Sequence, residues 1–184
     1  MIDHNTNTVK SILSNIFDSV GIANKERFIN APAKYHPKII LDGFGSVIVY
    51  AQGNKDSSEQ DMGSFSDIWG SLAAQNEVVK FLESHGYKSV IISGTSRSVS
   101  LVQMGILAGI GELSPVNSLV VKDLGLTASL AAIITEAPLI PDEEITGVCI
   151  KCMKCMNVCP ATEIAYQRNP EKCGCGKCRN ICPV

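Results

Sequence analysis

The chain has 184 residues, a formal net charge of −2, and 45% hydrophobic against 18% charged residues. This composition excludes wholesale disorder, and it offers no basic field that would indicate a nucleic-acid partner. All eight cysteines lie between Cys149 and Cys182. The sequence therefore predicts two parts with different chemistry, residues 1–140 and residues 141–184.

Apolar spacing and turn residues predict the elements of the first part. In chain order they are a helix over 6–20 that ends at Gly21, a loop over 24–44, a buried strand over 45–51, a surface loop over 52–66, a helix over 67–85, a strand over 88–93, a helix over 97–108, and strands over 118–123 and 130–136. A proline-rich acidic connector, 138–144, follows. This order predicts an α/β or α+β layered domain.

The N-terminal sequence lacks the basic start and apolar run of a signal peptide. No apolar run approaches the roughly 20 residues of a membrane span. We therefore expect a cytoplasmic protein without membrane contact. In that compartment, clustered cysteines indicate metal or redox chemistry rather than disulfides.

The first cysteine unit is Cys149-x2-Cys152-x2-Cys155-x3-Cys159, followed by Pro160. This spacing is that of bacterial ferredoxins, in which three cysteines bind one four-iron cluster and the fourth binds the neighbouring cluster. Zinc is the structural alternative, but zinc ribbons lack the third cysteine and the Cys-Pro ending.

The second unit contains Cys173, Cys175, Cys178 and Cys182, followed by Pro183. Its first gap is one residue shorter than in the first unit, so the geometry at Cys173 and Cys175 stays open. Crossed ligation assigns Cys149, Cys152, Cys155 and Cys182 to cluster 1. It assigns Cys159, Cys173, Cys175 and Cys178 to cluster 2.

The charge distribution is compatible with this assignment. Residues 1–148 hold ten basic and sixteen acidic side chains, whereas residues 149–184 hold six basic and two acidic ones. Two clusters with four thiolates each would carry a negative charge that offsets the basic excess of the second part.

Several stretches resemble cobalamin-dependent reductive dehalogenases and epoxyqueuosine reductases. They are the turn Ala108-Gly109-Ile110-Gly111-Glu112-Leu113, the stretch from Leu126 to Leu139 that ends in TEAPL, and the double cysteine unit; HPKIILDGF and the strand GSVIVYA are also similar. The resemblance implies an α+β fold, a shortened nitroreductase-like α/β sandwich with a C-terminal bacterial-type 2[4Fe–4S] ferredoxin module. It also implies a corrinoid over the sheet, with FMN as the weaker alternative.

The resemblance implies that Gly109, Gly111 and Glu112 contact the corrinoid or flavin. The sequence departs from the family pattern at Ser114-Pro115, where a glycine and a basic residue are usual. The first part is also short. The catalytic stretch of the epoxyqueuosine reductases and their helical extension are not found, so no catalytic residue is assigned and a tRNA substrate is disfavoured.

Two hypotheses follow. In the first, the protein is an iron–sulfur oxidoreductase that passes single electrons to a corrinoid and reduces a small molecule. In the second, it is a non-catalytic electron carrier or accessory protein. For both we expect a redox partner protein, oxygen sensitivity and an anaerobic or microaerobic host. Tyr35, Tyr50 and Asp67 are weak candidates for proton donors.

Overall fold

The structure, a computed structural model, describes residues 2–53, 65–160, 162–164, 167–168 and 176–184. Of residues 65–69, 162–164 and 167–168 only the backbone is described. The helices are α1 (Ile2–Ser14), α2 (Phe65–Ser84), α3 (Leu101–Leu107), α4 (Lys154–Asn157) and α5 (Lys177–Asn180). The strands are β1 (Ser19–Asn24), β2 (Ser46–Gln52), β3 (Ser89–Ile92), β4 (Gly111–Leu113), β5 (Leu119–Val121), β6 (Ser129–Thr135), β7 (Thr162–Ile164) and β8 (Gln167–Arg168).

The largest sheet has four strands in the order β1-β2-β6-β3, and every neighbouring pair is antiparallel. Successive side chains of β2 alternate between two buried layers. Val47 and Val49 pack on the side of α3, and Ile48 and Tyr50 pack on the side of α1 and α2. Because both faces are covered, β2 is a continuous apolar run rather than an alternating one.

A small hairpin of β4 and β5 joins this domain to the cysteine-rich segment. Leu119 and Val121 of β5 belong to the main core. Val120 points to the opposite face, where it packs with Cys155. Its cross-strand partner is Glu112. Alternation along the hairpin therefore presents Glu112 and Val120 to the cysteines.

The connector after β6 is fastened to the first layer by polar contacts. The Ile140 N–H donates to Thr6 Oγ1 at 3.0 Å, and the Leu139 N–H donates to Ser46 Oγ at 2.9 Å. Asp142 accepts from the Ile22 N–H at 3.0 Å and pairs with Lys10. These contacts fix the path of the chain into the first cysteine unit.

The predicted strands over 45–51, 88–93, 118–123 and 130–136 and the helix over 67–85 are confirmed. Two predictions are wrong. The first helix ends at Ser14, and Gly21 lies inside β1 instead of ending the helix; the third helix starts at Leu101, with Ser100 as its N-cap. Three short 3-10 helices, Lys25–Phe28, Ala33–Tyr35 and Pro37–Ile39, interrupt the predicted loop over 24–44.

The mixed α/β architecture with its antiparallel sheet agrees with the predicted α+β class. The ferredoxin module stays a prediction. Within the described part of the chain, no helix is long and apolar enough to cross a membrane.

Candidate metal centre

The two cysteine units share one local geometry. Lys154-Cys155-Met156-Asn157-Val158-Cys159-Pro160 is similar to Lys177-Cys178-Arg179-Asn180-Ile181-Cys182-Pro183. In each unit a residue with left-handed backbone, Met153 (φ 60°) or Gly176 (φ 67°), precedes a single helical turn that carries the middle cysteine. The two turns pack against each other. The second part of the chain, residues 141–184 (the tail), therefore contains an internal repeat in structure as well as in sequence.

Four cysteines from both units border one cavity. They are Cys149, Cys152, Cys155 and Cys182. Their thiols are free. Val120 and Leu126 of the first domain line the same cavity and pack with Cys155.

The four cysteines line one common space. Among the described residues, no three His, Cys, Asp or Glu side chains are grouped closely enough to hold one metal ion. Four thiolates are a donor set suited to soft metals and iron–sulfur groups. The donor types that border this cavity are therefore those of a soft-metal or iron–sulfur site.

Burial raises the pKa of the Cys155 thiol, and the nearby Cys149, Cys182 and Cys152 raise it further; a hydrogen bond with the Met156 backbone acts in the opposite direction. Without a bound cation, the four thiolates would repel one another. Since metal ligands must be deprotonated, a cationic group bound among these sulfurs would reverse this preference.

Glu112 links the first domain to the first cysteine unit. Its Oε2 accepts a hydrogen bond from the Cys149 N–H at 3.2 Å, and its Oε1 lies 3.9 Å from Lys151 Nζ. The side chain of Glu112 is 21% exposed and that of Lys151 is 74% exposed. The carboxylate is thus engaged by the cysteine loop.

The two glycines of the predicted cofactor turn pack against the chain itself. A Cβ atom at Gly109 would lie 2.1 Å from the Glu143 carbonyl oxygen, and one at Gly111 would lie 2.3 Å from that of Val120. Glycine is therefore required at both positions by close backbone approach. Contact of Gly109, Gly111 and Glu112 with a corrinoid or flavin stays a prediction.

The remaining predicted residues are scattered. Cys159 and Cys178 lie in the two repeats, whereas Cys173 and Cys175 lie outside the described residues. Tyr50 is fully buried in the sheet and Tyr35 is partly exposed on a 3-10 helix, and neither lines the cysteine cavity. The side chain of Asp67 lies outside the described part.

The chain has detectable relatives among characterised proteins. Over 99 residues it is 28% identical to a tetrachloroethene reductive dehalogenase of Desulfitobacterium hafniense, a match that covers 52% of this chain and 18% of that protein. The corresponding enzyme of Sulfurospirillum multivorans is 29% identical over 90 residues, which cover 46% of this chain and 17% of the enzyme. The matches confirm the resemblance to the reductive dehalogenase and epoxyqueuosine reductase family.

Solved structures of that family share the fold. An epoxyqueuosine reductase from Bacillus subtilis superposes with a TM-score of 0.72 at 19% identity, covering 96% of this chain and 64% of that chain. A catabolic reductive dehalogenase gives 0.73 at 20% identity, covering all of this chain and 32% of the dehalogenase. The chain therefore spans less than two thirds of the relatives it matches. No protein-family model matches it.

Sequence reasoning missed how the first domain contributes to the cavity. Ser114 and Pro115, which depart from the family pattern, line it together with Val120 and Leu126. The departure of Ser114-Pro115 from the family pattern was the only sequence signal that pointed to this part of the cavity lining. The contact of Glu112 with Cys149 had no signal in the sequence, because 37 residues separate the two partners.

Proposed function

We propose that the chain is an iron–sulfur oxidoreductase that holds two [4Fe–4S] clusters and passes single electrons to a corrinoid. The observation that carries this proposal is the cavity bordered by Cys149, Cys152, Cys155 and Cys182. These four residues are the set that crossed ligation of two ferredoxin units assigns to cluster 1. Because Cys182 comes from the second unit, no single CxxC motif explains this grouping.

The donor set fits the cluster. Each thiolate binds one iron corner of a [4Fe–4S] core, and the bound core supplies one-electron transfer at low potential. Val120 and Leu126 give this space an apolar floor, and Cys155 is 8% exposed. Burial of this kind limits solvent access to a cluster and thereby influences its potential.

Cluster 2 is assigned to Cys159, Cys173, Cys175 and Cys178. Support comes from the structural repeat, since Cys178 occupies in its turn the place that Cys155 occupies in the other. Crossed ligation interleaves the two cysteine sets, so we expect the clusters to lie close enough for rapid electron exchange.

The corrinoid is supported by the family resemblance. One matched solved structure, at a TM-score of 0.73 and 20% identity, is that of a reductive dehalogenase for which a mechanism of B12-dependent dehalogenation was suggested. At Gly109 and Gly111 the backbone of Glu143 and of Val120 occupies the side on which a Cβ atom would lie. Contact of these two glycines with a corrinoid therefore rests on the family resemblance alone.

A second candidate is a non-catalytic electron carrier or accessory protein, which is favoured because no catalytic residue of the family pattern is found in the sequence. In that case the clusters donate electrons to a partner enzyme. Both candidates place the chain in the cytoplasm with a redox partner protein. They differ in whether the chain itself binds an organic cofactor and reduces a small molecule.

The decisive experiment is anaerobic purification followed by metal, sulfide and ultraviolet–visible analysis. Both candidates predict about eight irons and eight sulfides per chain. Hydroxocobalamin and a reductant are then added. A change in the cobalamin spectrum that depends on the protein supports the corrinoid reductase, and no change supports the carrier. Stoichiometric FMN would replace the corrinoid as acceptor, and protein with zinc instead of iron would refute both.

A further inference from the structure

The environment of Glu112 differs from that of an acidic side chain available to a substrate or an organic cofactor. One carboxylate oxygen accepts from the backbone of Cys149 and the other faces Lys151. Both contacts are with the first cysteine loop, and Glu112 itself belongs to β4 of the first domain. The cross-strand partner of Glu112, Val120, lines the cysteine cavity.

We propose that Glu112 is a positioning residue for cluster 1 that holds the Cys149 backbone and sets the charge beside that cluster. The inference rests on the proposed function, because it assumes that Cys149, Cys152, Cys155 and Cys182 bind a cluster. It assigns Glu112 to the cysteine loop instead of to a corrinoid or flavin.

The positioning part follows from the strength and burial of the contact. A hydrogen bond from a backbone N–H to a carboxylate is charge-assisted and stronger than one between neutral groups. Glu112 is 21% exposed, so little water competes for its oxygens. Lys151, between Cys149 and Cys152, adopts the left-handed backbone conformation (φ 52°). A fixed Cys149 N–H therefore helps to hold a loop whose backbone is strained.

The electrostatic part follows from the neighbouring charges. A cluster becomes more negative when it is reduced, so a nearby carboxylate opposes reduction and a nearby ammonium favours it. Glu112 and Lys151 balance each other in the wild-type chain. Hydrogen bonds to the sulfurs also influence cluster potentials, and Glu112 occupies the Cys149 N–H that could otherwise donate to a sulfur.

The test uses the anaerobically purified full-length holoprotein and measures the reduction potential of each cluster by protein-film voltammetry. E112Q retains an acceptor for the Cys149 N–H but removes the charge. We expect the equilibrium constant for one-electron reduction of one cluster to rise about tenfold, which is about 59 mV. K151Q should shift the same cluster in the opposite direction, and E112Q/K151Q should return it towards the wild-type value.

The matched control is E136Q. The Glu136 Oε2 accepts a hydrogen bond from the Lys88 N–H at 3.1 Å. This contact is similar to that between Glu112 and Cys149, but its donor is the residue that precedes β3 and not a cysteine. We expect E136Q to leave both potentials unchanged. E112A, which removes the acceptor altogether, should release about four irons to a chelator about tenfold faster than the wild type does.

The outcomes separate this inference from the proposed function. A wild-type chain that binds no iron overturns both. About eight irons in the wild type, with potentials in E112Q and K151Q that are unchanged or move in the same direction, overturn the inference alone. If E112Q loses its cluster, K151Q decides: a lowered potential supports the inference and an unchanged one overturns it.

Discussion

The two parts of the molecule are stabilised in different ways. The first domain buries both faces of β2 and the centre of β6 between helical layers. Among the described residues of the tail, Cys155 is the single one whose hydrophobic side chain is buried. Apolar burial thus accounts for the first domain, whereas the tail has little of it, and we expect a group bound among its thiols to stabilise it. Metal binding is coupled to folding in segments of this kind.

The largest expected effect is that of Cys155→Ser. This substitution removes a buried thiol from the cysteine cavity, so the protein should retain only about four of about eight irons. We expect the tail to become sensitive to proteolysis while the first domain keeps its circular dichroism signal. Iron analysis and limited proteolysis measure the two effects. Two intact clusters in this variant would show that the ligand assignment is wrong.

Ile133→Ala should destabilise the first domain and leave the iron content of the tail unchanged. Ile133 is fully buried at the centre of β6, and its truncation should lower the free energy of unfolding by about 2–5 kcal/mol. Iron content should stay unchanged at temperatures where the domain is folded. Ile29→Ala is the control, since Ile29 is 82% exposed. Loss of iron from folded Ile133→Ala protein would contradict separate stabilisation of the two parts.

Gly125→Ala tests the junction between the parts. Gly125 has φ +63°, and a Cβ atom there would lie 2.3 Å from the Val184 carbonyl oxygen and 3.7 Å from the Cys182 Cβ. We expect a loss of about 1–3 kcal/mol in stability together with weaker retention of one cluster, measured by thermal unfolding and chelator challenge.

The control for the junction is Gly86→Ala. Gly86 also has positive φ (+85°), but open space surrounds the position of its Cβ atom. Gly86→Ala should lower the free energy of unfolding through backbone strain at positive φ, without any change in the rate of iron release. Equal iron release from the two alanine variants would mean that Gly125 does not position Cys182.

The smallest effect is expected for Tyr50→Phe. Burial raises the pKa of the Tyr50 phenol, and its hydroxyl has no hydrogen-bond partner among the described residues. The phenol of Tyr50 ionises near pH 10 in the unfolded chain but stays neutral there in the folded chain. The free energy of unfolding of the wild type should therefore fall above about pH 10.

Tyr50→Phe should weaken that decline above pH 10, and it should gain up to about 1 kcal/mol at neutral pH because no unsatisfied hydroxyl remains buried. Denaturant unfolding at several pH values measures both. Tyr35→Phe is the control at a partly exposed ring. Equal pH dependence in wild type and Tyr50→Phe would contradict the role of Tyr50.

Local patterns predicted the elements whose signal lies within a few residues. The continuous apolar run SVIVYA predicted a buried strand, since a strand that is covered on both faces has apolar residues at every position. The strand β1 was missed because Val20 continues the helical spacing of the preceding residues, and only pairing with β2 selects the extended form. The third helix was predicted to start at residue 97, whereas Ser100 caps it and it starts at Leu101.

The sequence by itself determined where the cysteines lie: eight of them, in two units of which the first has ferredoxin spacing, confined to the last 36 residues behind a cysteine-free domain. Spacing along the chain is sufficient to predict a cluster-binding segment, because local turns bring neighbouring cysteines together. The tertiary structure decided which groups surround the thiols. The contacts of Glu112 with Cys149 and of Gly125 with Val184 join residues far apart in sequence. Such pairs depend on how the β4–β5 hairpin packs against the tail, and no local pattern encodes that packing.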